Sequence, residues 1–231
     1  MNKQIIVKDL GIVDYDTAWQ TQQQLFNTLQ QQKTSGLTTD NYLLLCEHPH
    51  VYTLGKSGEE SNLLVNQDFL KSIDATFFKT DRGGDITYHG YGQLVGYPII
   101  DLDNFNLSTR LYIEMLEDVI ITYIAKFGLS GHRLPGATGV WLLASENQPD
   151  RKICAIGVKI SRHITMHGFA FNVNTNLAYF NYINPCGFTD KSVTSLQNEL
   201  KTTFNMDAVK NSITDIFIQQ LTMLKPITQN Y

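Results

Sequence analysis

Three short segments of the sequence combine residue types that can do chemistry, and the first is rich in glycine. Residues 81–93 read DRGGDITYHGYGQ, with four glycines in ten residues. Glycines at this density weaken a strand, but they let the backbone pass close to another group. If residues 86–89 are extended, Thr87 and His89 share one face and Tyr88 points the other way. The pattern predicts either a backbone surface that contacts a substrate or a hairpin with bulges. It lacks the Gly-Lys-Ser/Thr ending of a phosphate-binding P-loop.

The second segment, residues 151–162, is basic and reads RKICAIGVKISR. Regular strand alternation predicts one face with Lys152, Cys154, Ile156 and Val158, and another with Ile153, Ala155 and Gly157. Residues 151–170 contain four Lys or Arg and no Asp or Glu, although the chain carries a net charge of -4. We interpret the segment as a basic face for an acidic partner, or as an exposed edge strand protected by charge. On composition alone, Lys152 is an ordinary solvated lysine.

The third segment places a cysteine between proline and glycine, in the run INPCGF at residues 183–188. Cys46 and Cys154 lie in apolar runs and are predicted to be small core residues. Cys186 instead falls in a turn-like context, where its side chain can face a cleft. A thiol of ordinary acidity is only slightly ionised at neutral pH, so a nucleophilic role requires a cation or base nearby. A turn cysteine without a role is the alternative.

The six histidines raise the question of a metal site. His48 and His50 are close together, and His163 and His167 are four residues apart. Neither pair belongs to a Cys-x-x-Cys or His-Glu-x-x-His motif, and the second pair falls in a β-like segment. We therefore expect no metal ion and no cofactor.

The composition bounds the class of protein. With 231 residues, 42% of them hydrophobic, the chain can bury a large core. No repeat, charge block or Gly/Ser linker divides it, so one domain over 1–231 is expected. An odd count of three cysteines and an N-terminus without the apolar region of a signal peptide argue against a secreted disulfide protein. The apolar stretches are too short to span a membrane. We expect a cytoplasmic, globular protein without nucleic-acid or membrane partners.

The hydrophobic pattern predicts the elements that must position these segments. Helical spacing of apolar residues predicts helices over 14–32 and 108–127, and the second of these begins with Ser108 as N-cap and ends at Gly128 as C′ residue. Strands are predicted at 42–46, 75–79, 94–101, 138–143, 153–160 and 166–173. The tail is predicted to return to helix at 192–200 and 206–224. Because the strands concentrate in the middle, the order favours an α+β fold with a mixed or antiparallel sheet.

Taken together, several segments resemble the lipoyl(octanoyl) transferase family. They are RGGDITYHGYGQ (82–93), EHPHVYTLG (47–55), KICAIG (152–157), HGFAFN (167–172) and NPCG (184–187). The resemblance covers roughly residues 42–200. It implies the catalytic fold of the biotin/lipoate protein ligases, one α+β domain of mixed β-sheets flanked by helices. It also implies octanoyl transfer from octanoyl-acyl carrier protein to a lysine of lipoyl carrier domains. Those domains belong to 2-oxoacid dehydrogenase complexes and to the glycine cleavage H protein.

The resemblance also assigns residues. The family's acyl-thioester cysteine falls on Cys186 and its lysine on Lys152. The substrate contacts that carry over are Arg82, Gly83, Gly84, Asp85, Ile86, Thr87, Tyr88, His89, Ala155, Ile156, Gly157, Gly168, Phe169 and Ala170. Two departures concern connections: His50 stands where a proline is expected, and the loop 144–150 is long for its hairpin.

Three other functions stay open. An ATP-dependent lipoate or biotin ligase could share the fold, although the sequence has no Gly-Arg-Gly-Arg stretch for the nucleotide. An amidotransferase would take a lipoyl-protein as its donor. A non-catalytic module would use the basic face 151–162 to bind acidic carrier domains.

Overall fold

The computed structural model describes residues 2–145, 148–184 and 191–223. Strands and helices are mixed along the chain, in an α+β arrangement. The strands are β1 (Ile6–Ile12), β2 (Tyr42–Glu47), β3 (Val51–Leu54), β4 (Thr76–Lys79), β5 (Ile86–His89), β6 (Gln93–Ile99), β7 (His132–Leu134), β8 (Ala137–Leu142), β9 (Arg151–Ser161), β10 (Ile164–Asn172) and β11 (Ser192–Val193). The α-helices are α1 (Tyr15–Thr34), α2 (Gln67–Ser72), α3 (Thr109–Ala125), α4 (Leu196–Leu200) and α5 (Met206–Met223).

The strands form two mixed sheets. The large sheet has the order β1-β2-β6-β10-β9-β8-β7, and β11 pairs with the start of β9. Its β1–β2 and β11–β9 pairs are parallel and its other pairs are antiparallel. The small sheet has the order β4-β3-β5, with a parallel and an antiparallel pair. The predicted fold class, an α+β fold with mixed sheets flanked by helices, is confirmed.

Helices cover both faces of the large sheet. Alternate residues of β2 point to opposite sides, so Leu43 and Leu45 join a core with α3 and α5, whereas Leu44 and Cys46 join a second core under α1. Each fully buried Leu, Ile or Val side chain contributes about 1.5–3 kcal/mol to stability. A third cluster, which includes Tyr52 and Tyr88, lies under the small sheet. Strands β9 and β10 lie inside the large sheet, and each is paired with a strand on both sides.

The ends of α3 lie where the sequence predicts them. The Ser108 hydroxyl accepts the Leu111 N–H at 3.2 Å, which satisfies one of the orphan donors of the first turn. At the other end Gly128 adopts a left-handed φ of 78°. The N–H groups of Gly128 and Leu129 then bond back to the carbonyls of Ala125 and Ile124, the pattern of a Schellman cap.

The predicted helix over 192–200 is wrong in its first half. Ser192 and Val193 form β11, which pairs in parallel with Arg151 and Lys152 of β9. The helix begins only after Ser195, whose hydroxyl accepts the Asn198 N–H at 3.1 Å. The hydrophobic pattern also misses β1, β3 and β7, of which β3 and β7 have only four and three residues.

Within the described ranges, no helix is both long enough and apolar enough to cross a membrane.

Candidate active site

A cleft of about 670 Å³ opens where the small sheet faces strands β6, β8, β9 and β10 of the large sheet. Its wall contains most of the residues that the sequence singles out: Arg82, Gly84, Asp85, Ile86, Thr87, His89, Lys152, Ala155, Ile156, Gly157, Gly168, Phe169 and Ala170. The cleft thus brings together residues of the three segments 81–93, 151–162 and 183–188, with one exception among the predicted catalytic residues. Cys186 lies outside the described residues, although Asn184 and Lys191 on either side of that gap both line the cleft.

Gly83 and Tyr88 lie behind this wall. The Gly83 N–H donates to the Val158 carbonyl at 2.9 Å and so fastens the Gly-rich loop to β9. The Tyr88 hydroxyl bonds to His50 Nδ1 at 2.7 Å, and its ring stacks on Tyr179 with centroids 5.0 Å apart. His50 therefore supports the wall from behind. Thr87 and His89 line the cleft whereas Tyr88 does not, as strand alternation predicts.

The Gly-rich loop approaches the large sheet too closely for side chains. A Cβ added to Gly157 would lie 2.8 Å from the Gly83 carbonyl oxygen. Arg82 fixes the loop from the other side, because its guanidinium donates to the Thr53 carbonyl at 2.6 Å and to the Thr53 hydroxyl at 2.9 Å. These glycines thus allow close backbone packing at the cleft. The alternative of a hairpin with bulges is wrong, because β5 pairs with β3 in the small sheet whereas β6 belongs to the large sheet.

His89 is held as a neutral imidazole at the base of the cleft. The Gln93 amide nitrogen donates to Tyr88 and Asn172, so its carbonyl oxygen accepts from His89 Nδ1 at 2.8 Å. Burial, followed by the nearby His48 and the positive Arg82, lowers the pKa of His89 well below its usual value. A buried, neutral and fully positioned ring suits an orienting role.

An ion cluster beside the cleft was missed by sequence reasoning. Asp81 accepts from His167 Nε2 at 2.8 Å and from the Lys159 ammonium at 2.5 Å. The hydrogen bond from His167 is the largest cause that holds the pKa of Asp81 well below its usual range. Burial lowers the pKa of His167, whose φ of 60° marks a local departure from regular strand geometry. The cluster ties the loop that carries Arg82 to strands β9 and β10.

Replacing Asp81 by asparagine is expected to lower the free energy of unfolding by about 1–2 kcal/mol at pH 7. Since folding depresses the pKa of Asp81, its stabilising contribution is present above the ordinary carboxyl pKa and is lost as the pH falls. The difference between wild type and Asp81→Asn should therefore shrink progressively below about pH 4. Denaturant unfolding at several pH values measures it. The exposed Asp68→Asn is the control and should differ little from wild type throughout.

A β-bulge brings Lys152 to the cleft. Val140 pairs with Cys154, yet the next residue of β8, Trp141, pairs with Lys152, so Ile153 is an extra residue on β9. Ile153 and Cys154 consequently both lie in the core under α3. The predicted shared face of Lys152 and Cys154 is therefore wrong: the bulge puts Lys152 in the cleft wall with Ala155 and Gly157.

The Lys152 side chain is held by β8. Its ammonium lies 4.7 Å from the centroid of the Trp141 ring, a cation–π contact, and donates to the Thr138 carbonyl at 3.3 Å. The indole N–H of Trp141 donates to the Ala137 carbonyl at 2.8 Å, which fixes the ring. These contacts to β8 hold the Lys152 ammonium in the cleft, so Lys152 is not an ordinary solvated lysine.

The two described cysteines are core residues, as predicted. Cys46 and Cys154 are fully buried, and burial raises the pKa of both thiols. A buried neutral thiol is a poor nucleophile. Neither residue suits covalent chemistry.

The basic segment 151–162 is neither an edge strand nor a continuous basic face. Strand β9 pairs with β8 on one side and β10 on the other. Arg151 makes a two-bond ion pair with Glu199 at 2.7 Å, and Lys159 pairs with Asp81. The carboxylates of Glu199 and Asp81 thus balance the positive charges of Arg151 and Lys159, although they lie far from them in the sequence. In the part of the chain that the structure describes, no three His, Cys, Asp or Glu side chains converge as metal ligands would.

Comparison with known proteins gives the family. The family described as lipoyl protein ligase A/B catalytic domain matches residues 14–218. A protein of Bacteroides thetaiotaomicron named octanoyltransferase is 53% identical over 208 residues, covering 90% of this chain and 91% of that protein. Another octanoyltransferase, from Cytophaga hutchinsonii, is 48% identical over 231 residues, covering 96% of this chain and 93% of that protein.

Solved structures agree in fold. The structure of a bi-partite lipoate protein ligase and its E2 lipoyl domain from Thermoplasma acidophilum has a TM-score of 0.65 at 13% identity, covering 94% of this chain and 84% of that chain. At this identity the likeness concerns the fold alone. The matched family spans most of the chain, and both sequence relatives exceed 45% identity over nearly their full length. The resemblance to the lipoyl(octanoyl) transferases is confirmed, and the chain belongs to the lipoyl protein ligase A/B catalytic domain family, in which it is an acyltransferase.

Proposed function

We propose that this chain, as one catalytic domain over 1–231, transfers an octanoyl group from octanoyl-acyl carrier protein to a lysine of lipoyl carrier domains. The reaction passes through an acyl-thioester on Cys186 and is the first step of endogenous protein lipoylation. The observation that carries the proposal is the bulge that directs Lys152 into a cleft shared with the Gly-rich loop. The relatives named octanoyltransferase support the acyl group, and the NPCG motif supports Cys186.

In the first half-reaction, the positive charge of Lys152 favours the thiolate form of Cys186. The thiolate attacks the carbonyl carbon of the octanoyl thioester on the carrier protein. A new C–S bond forms to Cys186, and the C–S bond to the phosphopantetheine arm breaks. Lys152 gives its proton to the departing thiolate and is left neutral.

In the second half-reaction, the amine of the acceptor lysine attacks the acyl-thioester. A C–N bond forms, the C–S bond to Cys186 breaks, and neutral Lys152 takes the proton that the amine loses. Thioester exchange is nearly balanced in free energy, whereas conversion of a thioester to an amide is favourable. The proposed reaction therefore needs no ATP.

The cleft wall suits an alkyl chain beside a reactive carbonyl. Ile86, Val95, Ile156, Phe169 and Ala170 supply apolar surface. Gly157 of β9 pairs with Gly168 of β10, and both residues line the same wall. At about 0.8 kcal/mol per buried CH₂, an octanoyl chain gains several kcal/mol of binding free energy.

The proposed acceptors are the lipoyl domains of 2-oxoacid dehydrogenase complexes and the glycine cleavage H protein. In each of them the octanoyl group is transferred to a specific lysine, as the resemblance implies. Binding alone, through a basic face, is the less favoured function, because Arg151 and Lys159 are already paired with carboxylates of this chain. The proposed reaction takes place in the cytoplasm.

A comparison of three acyl donors, each used separately, tests the proposal. Purified chain is mixed with an apo lipoyl domain and one donor: octanoyl-acyl carrier protein without ATP, octanoic acid with ATP and Mg²⁺, or an octanoylated H protein. Intact mass of the acceptor is followed over time. We expect an octanoyl increment with the first donor only. An increment that requires octanoic acid and ATP would show a ligase, and one that requires the H-protein donor an amidotransferase. Binding of the acceptor without any increment would show a non-catalytic module.

A further inference from the structure

Glu117 is a buried carboxylate that the proposed reaction does not use. It lies on α3 among apolar core residues and is only 5% exposed. A buried charge costs several kcal/mol unless it is paired and hydrogen-bonded. One oxygen accepts from the Arg133 guanidinium at 2.8 Å, and the other accepts the backbone N–H of Gly139 at 3.0 Å. The second bond directs the carboxylate toward strand β8.

The same peptide group that Glu117 binds also binds Lys152. The Gly139 N–H belongs to the Thr138–Gly139 peptide, whose carbonyl oxygen accepts from the Lys152 ammonium at 3.3 Å. In a trans peptide the N–H and C=O point in opposite directions, so fixing one fixes the other. A negative charge on the N–H side also polarises the amide and makes its carbonyl a stronger acceptor for a cation. One peptide therefore links the core carboxylate to the cleft lysine.

Gly139 leaves room for this arrangement. Its φ of 129° is open mainly to glycine. A Cβ at this position would lie 2.5 Å from the Cys154 carbonyl oxygen and 3.5 Å from Cδ and Cε of Lys152. The lysine stem thus passes directly over a glycine that faces the bulge of β9. The absent side chain leaves room for the Lys152 stem, and the Glu117 bond fixes the peptide whose carbonyl accepts the ammonium.

We propose that Glu117 is a positioning residue for Lys152. It holds the Thr138–Gly139 peptide so that the Thr138 carbonyl receives the ammonium, and it does so from outside the cleft wall. Glu117 touches neither substrate nor reacting atoms. The consequence for catalysis rests on the proposed function, since it matters only if Lys152 acts in acyl transfer. The placement of Lys152 by Glu117 does not depend on that function.

The test uses the full chain and two substitutions. Glu117→Gln keeps an acceptor oxygen for Gly139 but removes the charge, whereas Glu117→Leu removes the acceptor. Asp101→Asn is the matched control: Asp101 is also buried, at 4% exposure, and binds Lys33 and Thr39 away from the cleft. The first readout is the rate at which acetic anhydride modifies Lys152 relative to Lys126, followed by peptide mass spectrometry. The second is the split between kcat and KM for octanoyl transfer.

In Glu117→Leu we expect Lys152 to react at least about threefold faster than in wild type, and kcat to fall about tenfold with KM unchanged, since one hydrogen bond to a charged group is lost. For Glu117→Gln we expect a labelling rate between those of wild type and Glu117→Leu, with kcat lowered about threefold. Asp101→Asn should leave the Lys152 labelling ratio and kcat as in wild type. If Glu117→Leu does not fold, Glu117→Gln decides the question by itself.

An unchanged labelling ratio in the Glu117 variants overturns the inference, whatever the activity does. A raised ratio with unchanged kcat supports the placement of Lys152 by Glu117 and contradicts the proposed role of Lys152 in transfer. Failure of the placement by Glu117 and failure of the proposed function therefore give different results.

Discussion

Replacing Cys186 by serine is expected to abolish octanoyl transfer, with a loss of at least about 10³-fold in kcat. A serine hydroxyl is not ionised near neutral pH, whereas the proposed nucleophile at this position is a thiolate. The covalent octanoyl adduct on the chain should vanish as well. Both readouts come from intact mass spectrometry, of the chain and of the acceptor.

The other two cysteines provide the controls. Cys46 and Cys154 are fully buried with raised thiol pKa values, so Cys46→Ala and Cys154→Ala should keep the adduct even if they lower stability. An adduct that persists in Cys186→Ser, or that maps to Cys154, contradicts the assignment of the nucleophile.

Replacing Lys152 by methionine is expected to slow acyl loading by about 10²–10⁴-fold. Methionine keeps much of the unbranched stem that passes over Gly139 but removes the charge next to Trp141 and the Thr138 carbonyl. Without the cation, the pH at which the Cys186 thiol becomes reactive toward iodoacetamide should move upward. Single-turnover loading and the pH profile of alkylation measure the two effects.

Lys126→Met is the matched control for charge removal. Lys126 binds Ser212 between α3 and α5 and does not line the cleft. Its variant should load and alkylate like wild type. A Lys152→Met chain with the wild-type alkylation profile would show that Lys152 does not tune the cysteine.

The spacing of apolar residues was sufficient to predict the long helices and most of the long strands. The apolar repeat that predicts a helix over 108–127 reflects the face of α3 that is buried against the sheet, and Ser108 and Gly128 mark its ends. These features are local, because they depend on spacing and capping within one segment. The pair Ser192–Val193 shows the limit, since it becomes a strand only through pairing with residues about forty positions earlier on β9.

Most residues that the sequence assigns to the candidate site line one cleft, but the geometry of that cleft was not predictable from the sequence. Alternation places Lys152 with Cys154, and only the pairing of β9 with β8 reveals the bulge that separates them. The Asp81 cluster joins residues 78 and 86 positions apart, so no spacing rule points to it. The available signal is that Asp81 and His167 are the first residues of two singled-out segments, 81–93 and 167–172, and that both segments contribute to the cleft wall.

Transfer of octanoyl through Cys186 without ATP can be followed in a time-resolved intact-mass experiment. The chain is mixed with octanoyl-acyl carrier protein in the absence of nucleotide, and an apo lipoyl domain is added after loading. We expect one octanoyl increment on the chain, mapped to Cys186, which disappears at the rate at which the lipoyl domain gains the same increment. If the acceptor gains octanoyl while the chain never carries it, or only when ATP is present, transfer through Cys186 without ATP is wrong.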